Sequence, residues 1–284
     1  MTLALTGATG ALGGLVATAL ADLAPLLVVR SASRLSPSLA AAAGEVREAS
    51  YDDGAACRAA FAGAEVLLLV SGAESADRRA HHRSAIAAAA AAGVRHVVYT
   101  SFAGAAPDAT FTLGRDHADA ESALRESGLT WTVLRDSFYA EVVPLFADAE
   151  GVVRGPAADG RVALVGRADV AAVAATVLRD AVGGSHAHDG ATYTLTGPEA
   201  LTMPEACARA GAVVGRALRF EPETVEEAYA SRAAAYPDEP DWQLDAWVST
   251  YTAIADGSVA EVSGDVRAVL GRDPLPLEAC LTSA

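Results

Sequence analysis

Short apolar runs alternate with longer helical stretches through the first half of the chain. Leu3–Leu5, Leu26–Val29, Val46–Ala49, Val66–Val70, Val94–Thr100 and Thr130–Leu134 are brief, partly β-branched and bounded by turn residues. Continuous apolarity over so few residues predicts strands buried on both faces, as in a parallel sheet. Between them the amphipathic segment Leu12–Leu23 predicts one helix, and Arg83–Ala92 predicts another that closes at Gly93. This βαβ rhythm predicts an α/β fold built on a doubly wound parallel sheet. After about residue 136 the rhythm breaks. Gly155-Pro156 marks a loop, Ala168–Asp180 predicts a helix and Thr192–Leu195 a short strand. Two further helices are expected within Thr224–Ala235 and Trp242–Ala255, separated by Tyr236-Pro237-Asp238-Glu239-Pro240. The expected organisation is a first domain over residues 1–150 and a smaller α+β lobe with a helical lid over 151–284, packed as one unit.

The junction of the first strand and first helix reads Thr6-Gly7-Ala8-Thr9-Gly10-Ala11-Leu12-Gly13. Strand, glycine turn and helix in that order suit a nucleotide pyrophosphate. One glycine makes the turn, the next lets backbone approach the phosphates, and the last lets helix and strand pack closely. The second strand ends at Arg30 and Ser31, with Arg34 close behind and no carboxylate in the place where a ribose 2′-hydroxyl would be bound. Arginine pairs with a 2′-phosphate in forked geometry, so NADPH rather than NADH is the expected cofactor. Ligands of open α/β sheets lie beyond the carboxyl ends of the strands. The loops after Val70, Thr100 and Leu134 are therefore expected to face it.

Composition narrows the partners. Thirty-six acidic against 21 basic residues give a net charge of −15, which repels phosphate backbones and anionic membranes and excludes nucleic acid as a partner. The longest apolar run, Ala85–Val94, is too short to span a bilayer, and no signal peptide is expected ahead of the first strand. Cys57, Cys207 and Cys280 form no pair or metal spacing, which fits a reduced cytoplasmic enzyme. His186-x-His188-Asp189 is expected to be a polar surface loop rather than a metal site, and the run Arg78-Arg79 to His81-His82-Arg83 a solvated helix start. All 21 basic residues are arginine. With the alanine excess, this reflects a GC-rich genome, and it removes lysine from any chemistry.

The residues Thr6–Gly13 and Val28-Val29-Arg30 resemble the NmrA-like branch of the atypical short-chain dehydrogenases, and within it the NADPH quinone oxidoreductases. The resemblance continues through Leu67–Ser71, His82-Arg83, Ala92–Val94, Tyr99–Ser101, Leu134-Arg135 and Gly271–Pro274. It implies a Rossmann-type core with a smaller C-terminal lobe, and cofactor contacts from Thr6, Gly7, Ala8, Thr9, Gly10, Ala11 and Leu12, from Arg30, Ser31 and Arg34, and from Val70, Ser71 and Gly72. Further contacts are implied for Thr100, Ser101, His117, Arg135, Asp136, Ser137 and Phe138, with Phe102 and Tyr139 on the substrate side. Departures matter equally. Ser50 stands where the subfamily has Asp near the adenine, and Asp136 where it tends to have Asn. The wider family's Tyr-x-x-x-Lys acid falls on Leu113 and His117, so the usual proton donor is missing.

Two catalytic candidates remain. Ser101 fits the family's serine position but equally suits a strand-end serine bonded to backbone or ribose. His117 could donate a proton, hold a ribose hydroxyl or face solvent. Trp242, Trp247 and Tyr251 share part of one helix face, which packs a core or lines a lid over a flat aromatic ligand. A site without Tyr and Lys favours carbonyls whose product anion is delocalised. Reduction of a quinone or a phenol-conjugated ketone of the aromatic polyketide type is therefore expected, by a monomer or small homo-oligomer. The alternative is a non-catalytic NADP-binding redox sensor of the NmrA type.

Overall fold

The computed structural model of the protein describes residues 1–282. Its first part runs β1 (Leu3–Thr6), α1 (Ala11–Ala19), β2 (Leu26–Val29), α2 (Pro37–Ala42), β3 (Glu45–Glu48), α3 (Gly54–Phe61), β4 (Val66–Leu69), α4 (Arg78–Ala91), β5 (His96–Phe102), α5 (Thr112–Glu126) and β6 (Thr130–Asp136). There follow β7 (Val152–Gly155), β8 (Arg161–Val162), α6 (Arg167–Val182), β9 (Ala191–Leu195), β10 (Leu201–Thr202), α7 (Met203–Val214) and β11 (Arg219–Pro222). Helices α8 (Val225–Ala235), α9 (Asp241–Ala255), α10 (Asp265–Leu270) and α11 (Leu277–Thr282) complete it. The main sheet has seven strands in the order β3-β2-β1-β4-β5-β6-β9. Pairing from β3 across to β5 is parallel, with Ala4 opposite Leu26 on one side and Leu67 on the other. Strand order reverses between β1 and β4, the switch point at which Rossmann-type sheets bind ligands.

The predicted strands are all present, with ends that shift for local reasons. Val94 belongs to the close of α4, its N–H bonding the carbonyl of Ala89 (3.1 Å), so β5 starts at His96. Helix α4 starts at Arg78, well before Arg83, and Arg78 and His82 are buried rather than solvated. The helix start therefore carries charge and imidazole inward, which corrects the surface reading of this run.

The chain forms two compact units, each assembled from several segments. The first comprises Met1–Ser101, Asp116–Arg135 and Val170–Tyr193. Phe61, Leu67, Leu69, Ile86, Tyr99 and Leu124 are among the large side chains of its core. The second comprises Phe102–Arg115, Asp136–Asp169 and the chain from Thr194 onward. There Phe102, Val153, Met203, Tyr251, Ile254 and Leu277 pack together, with the shorter strand pairs β10-β8 and β11-β7 beside them. Among the described residues no helix is long and apolar enough to cross a membrane.

Two glycines hold α1 against β1. Gly7 adopts φ +72°, which a side chain resists. A Cβ on Gly13 would lie 2.2 Å from the Gly7 carbonyl oxygen. No rotamer change relieves contact with backbone, so Gly13→Ala must move the helix. We expect a loss of about 3 kcal/mol or more in stability, at the upper end for an overpacked site, read as a lower melting temperature. An unchanged melt would mean that the helix start is free to shift.

Candidate functional site

At the switch point the first unit opens into a cleft of about 490 Å³. Thr6, Gly7, Thr9, Gly10, Arg30, Arg34, Ser50, Tyr51, Asp52, Val70, Ser71, Gly72 and Ser75 are among the residues that line it. Gly10 caps α1 with extended backbone, bonds the Gly7 carbonyl through its N–H (2.8 Å) and supplies no side-chain cap. The first helical turn also holds no acidic residue, so its N–H groups and positive dipole end remain for an anion. Thr6 fixes the other wall: its Oγ1 donates to Leu68 O (3.1 Å) and accepts from Val70 N–H (2.9 Å). The Tyr51 hydroxyl is shared between Thr6 Oγ1 (2.6 Å) and Val70 O (2.8 Å). Burial pushes its phenol well above the ordinary value, so it stays protonated and donating.

Arg30 and Arg34 reach the cleft exposed and, among the described residues, form no ion pair. Glu48 accepts the backbone N–H of Ala32 (2.6 Å) and so holds the turn that carries both arginines. Ser50 does line the cleft, and two residues on Asp52 brings a carboxylate to the same wall. Its pKa lies below the usual value, chiefly through the Ser50 hydroxyl. The cleft thus has a carboxylate at Asp52, two residues from the position where the resemblance leads one to expect it.

Both catalytic candidates are committed elsewhere. Ser101 Oγ donates to Glu121 Oε1 (2.7 Å), and Glu121 is 1% exposed. The Arg135 guanidinium grips the same carboxylate with Nε and Nη2 (2.8 and 2.7 Å), and Arg125 adds a third contact at 2.9 Å. Burial alone would raise the Glu121 pKa, but bonds from Arg135 and Ser101 outweigh it and hold it lowered. Ser101 and Arg135, predicted separately, are thus brought together by a buried anion. His117 is also buried, with Nε2 at 3.0 Å from Arg78 Nη2 and Nδ1 at 3.1 Å from the Tyr99 hydroxyl. Burial and then Arg78 drive its pKa well down, so the ring is neutral. It does not face solvent. Glu121, Tyr51 and Asp52 are additions to the predicted set. His117, Glu121 and Arg125 at intervals of four on α5 were the available signal for Glu121.

In the second unit, Phe102, Phe111 and Phe138 form an aromatic cluster with ring centroids 4.7 to 5.1 Å apart. Tyr139 donates its hydroxyl to Asp136 Oδ2 (2.5 Å), while Arg167 lies over its ring (4.6 Å). Asp136 Oδ1 and Ser137 Oγ are buried without a hydrogen-bond partner among the described residues. The stripe on α9 divides. Tyr251 is core, lying against Gly155 and stacked with Phe220. Trp242 is half-buried, and Trp247 packs edge-on against the exposed Tyr236 (4.9 Å). Tyr251 therefore shares no open face with the two tryptophans.

A glycine turn on a parallel sheet, an uncapped helix start and two free guanidinium groups define a dinucleotide-binding α/β protein. The chain belongs to the NAD(P)H-binding family, which matches residues 7–181. It is 33% identical over 276 residues to quinone oxidoreductase 2 of Escherichia coli, covering 95% of this chain and 93% of that protein. It is 36% identical over 278 residues to (4-alkanoyl-5-oxo-2,5-dihydrofuran-3-yl)methyl phosphate reductase of Streptomyces griseus, with the same two coverages. Among solved structures, the NADPH complex of the E. coli NADPH-dependent quinone oxidoreductase aligns over 99% of both chains, with TM-score 0.87 and 31% identity. Triphenylmethane reductase of Citrobacter sp., complexed with NADP(H), aligns over 100% of both chains with TM-score 0.84 and 29% identity.

Asp136 yields a pH prediction. Burial pushes its carboxyl up to about 7, against a smaller lowering by the Tyr139 hydroxyl. Unfolded, it would titrate near 3.8. Between those values the folded state keeps a proton that the unfolded state has lost, so stability falls as pH rises. The loss is at most about 4 kcal/mol, from roughly three pH units at about 1.4 kcal/mol each. Asp136→Asn should abolish this slope, its melting temperature gaining on wild type from pH 5 to pH 8. Parallel curves would show that Asp136 is ionised throughout.

Proposed function

We propose that the protein is an NADPH-dependent reductase of quinones and of aromatic ketones conjugated to a phenol, substrates that store the developing charge themselves. The observation that carries this reading is the commitment of both acid candidates, Ser101 to Glu121 and His117 to Arg78 and Tyr99. The relatives support the reaction class, since quinones and triphenylmethane dyes are conjugated acceptors.

The residues present fit the cofactor. The Gly7–Gly10 turn and the start of α1 would face its pyrophosphate, and Arg30 and Arg34 its 2′-phosphate. Bound NADPH supplies a hydride. A ketone that accepts one without conjugation becomes an alkoxide, whose conjugate acid has a pKa near that of water, about 16. A quinone or phenol-conjugated ketone can instead leave a phenolate near 10. Six units at about 1.36 kcal/mol each spare the protein roughly 8 kcal/mol of charge stabilisation. Positioning then supplies most of the catalysis. A cytoplasmic enzyme of a GC-rich genome, acting on an aromatic polyketide, is the setting this reading suits.

The test follows NADPH absorbance with quinones, hydroxylated polycyclic ketones, their phenol-methylated analogues and simple ketones. Turnover should be confined to the first two groups. Ser101→Ala and His117→Ala should each stay within roughly tenfold of wild type, short of the 10²–10⁴-fold that a general acid typically supplies. A thousandfold loss in either, or full turnover of a simple ketone, would overturn substrate assistance. Tight NADPH binding without turnover of any acceptor would instead favour a redox sensor.

The cofactor assignment has its own check. Arg30→Asp should weaken NADPH binding by roughly thirtyfold or more while sparing NADH, because a pairing is lost and a repulsion added. Equal losses for both nucleotides would remove Arg30 from the 2′-phosphate site.

A further inference from the structure

One residue of the cleft is held at both of its backbone polar groups by buried side chains. Gly72 follows β4 and lines the cleft. Its N–H donates to His82 Nε2 (2.8 Å), and its carbonyl accepts from Arg78 Nε (3.0 Å). His82 and Arg78 come from the first turns of α4 and are 0% and 5% exposed. Behind them Arg78 Nη2 meets His117 Nε2 (3.0 Å), and the Nδ1 atoms of His82 and His117 lie 3.4 and 3.1 Å from the Tyr99 hydroxyl oxygen.

The donors fix the protonation of this cluster. A backbone N–H and a guanidinium can only donate. His82 Nε2 and His117 Nε2 are therefore both lone pairs, and in each neutral ring the hydrogen sits on Nδ1. Each ring is neutral. Burial, then Arg78, holds the His82 pKa at about 3, so acceptance from Gly72 persists through the neutral range. Ser75, on the same segment, lines the cleft with a buried Oγ that has no hydrogen-bond partner among the described residues. The segment is thus fixed at one end and carries an unspent polar atom near the other.

We propose that His82, backed by Arg78 and His117, is a positioning residue for the cofactor: it fixes the Gly72 peptide so that Ser71–Ser75 is presented ready-made to bound NADPH. The inference rests on the reading of this cleft as the NADPH site. A glycine left unheld would lose the most backbone freedom on binding, and ordering it beforehand removes that cost from the binding step.

The experiment compares His82→Leu with His82→Gln, whose amide oxygen can still accept the Gly72 N–H. NADPH affinity is read by fluorescence titration and stability by the cofactor-free melt. His82→Leu should weaken NADPH binding at least tenfold, and His82→Gln should stay within about threefold of wild type. A role confined to packing would lower the melting temperature of His82→Leu and leave its NADPH affinity unchanged, which would overturn the proposal. Should His82→Leu fail to fold, amide hydrogen exchange at Gly72 in the wild-type protein decides. Protection already present without cofactor is expected, and protection that appears only with NADPH would refute pre-positioning. Failure of the cofactor reading shows separately, as wild-type protein that does not bind NADPH.

Discussion

Everything in the candidate site follows from how closely α1 approaches the end of β1. The Gly13 position lies so near the Gly7 carbonyl that only a hydrogen fits between them. That contact sets the helix axis, and with it the direction of the N–H groups that Gly10 leaves uncapped. Gly7, turned to positive φ, leaves room for the side chain of Val70, where a Cβ would come within 2.9 Å. Val70 is in turn held by Thr6 and Tyr51. A constraint of one atom therefore aligns three chain segments that are distant in sequence.

Charge is managed with the same economy. In a chain whose only cationic side chains are arginine, each buried carboxylate of the first unit needs guanidinium neighbours, and Glu121 has two. A lysine could not grip both oxygens at once, whereas the planar fork of Arg135 does. Arg30 and Arg34 stand apart from this pairing, which makes their position on the cleft informative. Asp136 is the reverse case, a buried carboxyl facing a tyrosine hydroxyl, and burial resolves it by retaining a proton.

The sheet and the glycine turn were legible because each is a local pattern. Apolar runs such as Val66–Leu69 can be satisfied only between helices, and a glycine at positive φ leaves a direct trace in sequence. The cleft wall was legible as far as strand ends reach, through Arg30 and Val70. What could not be read was pairing across the fold. His82 and Arg78 look like solvent-facing residues because composition says nothing of the Gly72 backbone waiting beside them. Ser101 looks like a catalytic serine because its partner, Glu121, lies twenty residues on and a helix away. Tyr251 looks like part of an aromatic stripe with Trp247, yet Gly155 makes space for its ring in the core. In each case the missing fact was a contact distant in sequence.

These commitments bear on chemistry. Hydride acceptance and protonation are separable when the acceptor is conjugated, and only the second requires an acid from the protein. In the first unit the side chains nearest to the family's acid positions are spent on structure: Ser101 steadies a buried anion, and His117 takes part in fixing a cleft peptide. On the proposed reading, a site whose acid candidates serve as scaffold keeps geometric control of the reaction and leaves the charge to the substrate. The selectivity of such an enzyme would lie in the electronic structure of its acceptor more than in the shape of a pocket.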